Sequence, residues 1–223
     1  MTLNPAVPTV SGGYGQVKGN GWAIQGGVKL NVPYVGAGDY VYLQAAYSKG
    51  SISYADSDYG AIFLGQANSI GGTSFSTYDA VVGPMGGAKL TPAFTAIVSY
   101  VHYWTPTIRQ AVFAGSERVT YSGSIKTAAG FAQGAACPTC VGTITTGSGA
   151  LYNPFNPYYL GGTQYNVGTN LIWSPIAALD IGAELFLAHN QMSHKEFDVN
   201  RGNGLLVDKD DQWYGRLRVS RDF

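Results

Sequence analysis

The chain of 223 residues is long enough to bury a core of its own, yet only 12% of it is charged, about half the share usual in soluble domains. Thirteen Lys and Arg balance thirteen Asp and Glu, which leaves no basic field for nucleic acid and no polybasic patch for a membrane surface. No apolar run reaches the roughly 18 residues that a membrane-crossing helix needs, so any contact with lipid would have to be made by strands.

The composition suits strands of that kind. Gly (31) and Tyr (16) are abundant, and 45% hydrophobic residues coexist with a mean hydropathy of +0.01. A strand that shows lipid with every second residue and water with the others averages to neutral hydropathy in this way. The opening residues Met1 to Pro8 lack the basic start and apolar stretch of a secretory signal, so the chain is expected to be the C-terminal portion of a longer protein.

Period-two alternation starts at Trp22 and runs to Val32, with Trp22, Ile24, Val28, Leu30 and Val32 on one face and Gln25, Lys29 and Asn31 on the other. After Gly36 to Asp39 a second stretch sets Val41, Leu43, Ala45 and Tyr47 against Tyr40, Tyr42, Gln44 and Ser48, which predicts a hairpin. Weaker strand signals lie at Tyr59 to Gln66 and Ser74 to Val82. Phe94 to Trp104 and Ile108 to Tyr121 flank the short turn Thr105 to Thr107. Ser122 to Gly162 then reads as one long loop. Within it, Cys137-Pro-Thr-Cys140 has the spacing of a redox dithiol or half a zinc site, but no second pair and no nearby His supports either. A local disulfide in an exported loop is the expectation, with free thiols as the alternative.

Gln164 to Ser174 alternates Tyr165, Val167, Leu171 and Trp173 with Gln164, Asn166, Asn170 and Ser174. Across Pro175 to Ala178, Leu179, Ile181, Ala183, Leu185 and Leu187 alternate with Asp180, Gly182, Glu184 and Phe186. Met192 to Asp211 reads as a second long loop. The last strand, Gln212 to Phe223, sets Trp213, Leu217, Val219 and Phe223 opposite Gln212, Tyr214, Arg216 and Arg218. About nine strands result, or ten if residues 1–18 add a short one, each about as long as a tilted strand that crosses a bilayer. Short and long connections alternate, as in outer-membrane barrels with periplasmic turns and external loops.

Aromatic residues gather near the strand ends: Trp22, Tyr34, Tyr103, Trp104, Trp173, Trp213 and Phe223. They fit interfacial girdles. The three histidines, His102, His189 and His194, have no motif partner. No nucleophile motif or metal-ligand spacing appears, so neither an enzyme nor a cofactor is expected.

Several segments together resemble the porin family of alphaproteobacteria, as found in rhizobia and brucellae. They are Gly19-Asn-Gly-Trp-Ala-Ile-Gln-Gly-Gly-Val-Lys-Leu-Asn31, Leu43-Gln-Ala-Ala-Tyr47, Tyr103-Trp-Thr-Pro106, the hairpin from Ile172 through Gly182, and the ending Tyr214-Gly-Arg-Leu-Arg-Val-Ser-Arg-Asp-Phe223. That resemblance implies an all-β, antiparallel transmembrane β-barrel of roughly 16 strands. Residues 1–223 would form one porin domain lacking its N-terminal strands, with 122–162 as an extracellular loop. It further implies a homotrimer in the bacterial outer membrane, surrounded by lipid, that passes small hydrophilic solutes and ions by passive diffusion. Phe223 would be the signal read by the barrel-assembly machinery. By face, the expected pore-lining residues are Gln25, Lys29, Asn31, Gln44, Asn166, Asn170, Glu184, Arg216 and Arg218. A non-channel barrel serving as adhesin or surface antigen, and a soluble β-sandwich binding module, are the alternatives.

Overall fold

A computed structural model of the chain describes residues 18–55, 79–82, 87–139, 143–153, 161–197 and 206–222. In chain order the elements are β1 (Trp22–Asn31), β2 (Tyr40–Lys49), a 3-10 turn (Ile52–Tyr54), β3 (Ala80–Val82), β4 (Ala88–Leu90), β5 (Pro92–Thr105), β6 (Ile108–Val119), α1 (Gly123–Ala136), β7 (Ile144–Thr145), β8 (Leu151–Tyr152), β9 (Gly162–Ile176), β10 (Leu179–Phe197) and β11 (Leu206–Arg221). The fold is all-β and antiparallel. Seven long strands form one sheet in the order β1-β2-β5-β6-β9-β10-β11, while β3–β4 and β7–β8 are small separate pairs. Among the described residues β1 and β11 are the two edges of this sheet and do not pair with each other.

Each expected short turn closes a hairpin by local chemistry. Between β1 and β2 the Val32 amide donates to the Asp39 carbonyl (2.9 Å) and the Asp39 amide to the Gly36 carbonyl (3.1 Å). Gly38 sits there at φ +91, a backbone conformation that calls for glycine, with the Tyr103 ring in ordinary contact 3.4 Å from where a Cβ would stand. Between β5 and β6 the Thr105 hydroxyl accepts the Ile108 amide (3.0 Å). Between β9 and β10 Ala178 adopts φ 66, a conformation that costs a non-glycine residue energy.

Seven strands make the sheet among the described residues; of the stretch Ser74 to Val82 only 79–82 is described and holds β3, which pairs with β4 apart from that sheet, while Tyr59–Gln66 and residues 1–17 lie outside the described residues. Two expectations are corrected. The stretch Met192 to Asp211 is not a long loop, because β10 continues to Phe197 and β11 already begins at Leu206. Polar residues occupy both faces from Ser193 to Glu196 and from Asp208 to Asp211, so the alternation that marks a strand is interrupted there. Finally, 122–162 holds α1 and the β7–β8 pair. The helix is rich in Ala and Gly, and carries no stripe of large apolar residues to announce it. Its glycines serve close packing: a Cβ on Gly134 would stand 2.6 Å from the Leu151 carbonyl, and Phe131 meets Tyr152 edge-on at 5.0 Å.

Among the described residues, the cluster of buried apolar side chains lies at one end of the sheet. Ala46, Ala93 and Val119 of β2, β5 and β6 join Ile52 and Ala55 beside the 3-10 turn, Val81 of β3, Tyr121, and Ile125 and Ala129 of α1. The long connections therefore fold back over one face of the sheet. Lys126 of α1 reaches Ser193 of β10 (3.0 Å), tying the helix to the far strands.

Candidate functional site: the polar face of the sheet

Strand register decides which side chains share a face. Gln25 pairs with Ala46, Gly27 with Gln44, Lys29 with Tyr42 and Asn31 with Tyr40; Asn166 pairs with Ala188, and Asn170 with Glu184, itself opposite Arg216. Gly182 faces Arg218. All nine residues expected on the water side therefore lie on one face. The opposite face presents Ile24 (66% exposed), Leu43, Val98, Val167, Leu171, Leu185 (50%), Leu217 (86%) and Val219 (71%) to the surroundings. The polar side chains of β9 and β10 are screened while the apolar ones are bare, the reverse of a soluble sheet packed on an apolar core.

At the short-turn end of the polar face stands a ladder of charge. Arg109 of β6 reaches across β9 to the Asp180 carboxylate (2.6 Å) and to the Ser174 hydroxyl (3.0 Å), which itself donates to Asp180 (2.5 Å). One step on, Arg216 pairs with Glu184 (2.9 Å). Arg109, Asp180, Glu184 and Arg216, with Asn170, Ile172, Arg218 and Ser220, line a recess of about 350 Å³. Three guanidiniums meet two carboxylates, so the wall carries a surplus of one positive charge. The sequence pattern places Asp180 on this face, where with Glu184 it offsets the basic stripe of Arg216 and Arg218, but it misses Arg109. On β6 the alternation is blurred by Phe113 on the polar side and Gln110 on the other.

Midway along the face an aromatic row crosses the strands. Phe186 and Tyr214 stack with centroids 4.8 Å apart, and Phe113 and Phe186 close over Gly168. Beyond it, toward the long connections, one register row runs Thr95, Glu117, Gln164, Asn190 and Asp210. Gln164 and Asn190 are 4% and 0% exposed. Neither amide atom of Asn190 has a hydrogen-bond partner, nor has Asp210 Oδ2 or Gln212 Nε2; Gln212 accepts from the Tyr214 hydroxyl through its other atom.

A separate cluster occupies the apolar side at the turn before β2. The buried Asp39 carboxylate accepts hydrogen bonds from the Tyr100 hydroxyl (2.6 Å) and the Tyr103 amide (2.9 Å), and its Oδ2 lies 2.7 Å from His102 Nδ1. Burial alone would raise the pKa of Asp39, but the hydrogen bonds from Tyr100, His102 and Tyr103, together with the charge of His102, outweigh it and hold the carboxyl at about 2. His102 in turn meets the Trp104 ring edge-on at 4.5 Å. His189, the second expected orphan, pairs with Asp211 (2.6 Å); the side chain of His194 lies outside the described residues.

Cys137 is disulfide-bonded, as expected for the pair; Cys140, the only other cysteine, lies outside the described residues. So does Phe223, the expected assembly signal. Among the described residues no group of three His, Cys, Asp or Glu side chains could hold a metal ion. Comparison with protein-family models, with curated proteins and with solved structures yields no match, so the functional reading rests on the geometry of the sheet.

Proposed function

We propose that the chain is part of an outer-membrane β-barrel of porin type, whose polar face lines a water-filled path for small hydrophilic solutes and ions. The carrying observation is the inverted distribution of the sheet. Monomeric soluble proteins rarely expose contiguous apolar patches beyond a few hundred Å², whereas here whole strands turn their apolar side outward. On β9, β10 and β11 that band runs from Tyr165 to Trp173, from Leu179 to Leu187 and from Trp213 to Val219, close to the ~9–11 residues of a tilted membrane-crossing strand. Trp104 and Trp173 mark one rim, and Trp22, Tyr47 and Trp213 the other. In the proposed barrel the edges β1 and β11 are joined by further strands, because lipid leaves an open edge unsatisfied.

One observation favours a second reading, a barrel that inserts without conducting: α1 and its neighbours cover the polar face at the long-connection end. Planar-bilayer recording separates the two. Stepwise conductance from the full chain in a lipid bilayer supports the channel; insertion with heat-modifiable gel mobility but no current supports the closed barrel. A chain that stays monomeric and soluble without detergent sinks both.

A further inference from the structure

The row at the long-connection end is not chemically complete. Asn190 is fully buried and both of its amide atoms lack a partner; beside it, on the paired residue of β11, Asp210 Oδ2 is buried and equally unsatisfied, and so is Gln212 Nε2 two residues on. Buried polar groups are nearly always satisfied by protein, water or an ion, and buried charges are paired or bind metals. The neighbouring carboxylate shows the contrast: Asp211 points to the other face and is paired with His189. On the polar face the same end gathers Glu117, Asp208 and Asp210. Of the basic side chains of these strand segments, Arg118 and Lys209 point to the opposite face by register, and Lys195, beyond the register shift after Gln191, is exposed. Lys126, on the covering helix, is held by Ser193.

We propose that this end of the polar face holds a hard cation that keeps part of its water shell. Asp210 supplies the charged oxygen, Asn190 and Gln164 supply neutral amide oxygens from the adjacent strands, and the N–H groups of Asn190 and Gln212 donate to the cation's waters. The same register row brings the Glu117 carboxylate in from β6 as an outer charge. A donor set of oxygens only, on adjacent strands rather than in a preformed loop, suits Ca²⁺ better than the small, strictly octahedral Mg²⁺. One carboxylate with amides and water places the affinity in the weak range of roughly 10⁻⁴–10⁻³ M.

The site follows from the sheet register and does not depend on the channel reading. The test uses the full chain folded in detergent micelles and titrated with terbium, whose luminescence Tyr214, on the same face of β11, would sensitise, with Ca²⁺ as competitor. The expected result is a saturable signal displaced by Ca²⁺. Asp210→Asn weakens it by roughly tenfold or more, and Asn190→Asp, which adds a charged oxygen, tightens it by a similar factor. Should Asp210→Asn fail to fold, Asn190→Asp alone decides. No saturable signal from the folded chain, or variants that titrate like the parent, overturns the site. Binding without bilayer conductance removes only the channel; conductance without binding removes only the site.

Discussion

The two ends of the polar face solve the same electrostatic problem differently. Near the short turns, Arg109, Ser174 and Asp180 from three strands satisfy one another, and Glu184 takes Arg216. Near the long connections, Asn190, Asp210 and Gln212 stand in equally regular register, yet both amide atoms of Asn190, Asp210 Oδ2 and Gln212 Nε2 are left without partners. Regular strand pairing thus fixes where side chains stand without guaranteeing what they meet. The first end is a wall complete in itself, whereas the second is a wall shaped for a guest.

The strongest way to break this picture is to disturb what both ends share, a polar face backed by a bare apolar one. Leu217 sits between Arg216 and Arg218 on β11 but points the other way, bare and level with Ala183 at the middle of the apolar band of β10. Leu217→Lys is expected to destabilise the folded state in a bilayer by about 2–4 kcal/mol, the cost of a lysine near the membrane midplane. Equilibrium unfolding in lipid vesicles measures it, and a neutral outcome would mean that this face meets water.

Next in size is the boundary between the ends. A Cβ on Gly168 would stand 2.6 Å from Phe113 Cζ and 2.9 Å from the Leu185 carbonyl. Gly168→Val therefore forces the aromatic row apart, at about 1–3 kcal/mol for overpacking, read from the unfolding midpoint. If the midpoint holds, the row does not divide the face.

The Asp39 cluster gives a pH-dependent comparison between the turn rim and the rest of the sheet. Its carboxyl is depressed from 3.8 to about 2 by its hydrogen bonds. A depressed acid contributes stability at neutral pH that is lost as pH falls between those two values. The wild type should therefore lose thermal stability over that window, and Asp39→Asn should start lower at pH 7 and show a flatter acid slope. Parallel acid profiles for the two proteins would exclude the cluster as the cause.

The smallest effects contrast the ends directly. Asp180→Asn removes half of a partly exposed pair, so its cost in stability is slight. In the proposed channel it leaves Arg109 and Arg218 less balanced and should move the reversal potential in a salt gradient toward anions. Asp210→Asn, which in the absence of cation has no partner to lose, should leave stability unchanged without Ca²⁺ and abolish whatever stabilisation Ca²⁺ provides. Equal responses from the two variants would erase the distinction between the ends.

Much of this molecule is written locally. Alternation from Trp22 onward, around Gly168 and through Leu217 determined the strands, their faces and the hairpin partners, because a period of two leaves each side chain only two directions in which to point. Turn chemistry at Gly38 and Thr105 determined where those strands reverse. Local pattern could not determine that β10 and β11 continue past Met192 and Asp211, where both faces turn polar, or that the Ala- and Gly-rich stretch after Ser122 coils into a helix over the sheet. Nor could it bring Arg109 to Asp180, two strands away, or set Asn190 beside Asp210 beneath a covered end. Those contacts join residues 71 and 20 positions apart in the chain, and only strand order and register, fixed by pairing across the whole sheet, bring them together.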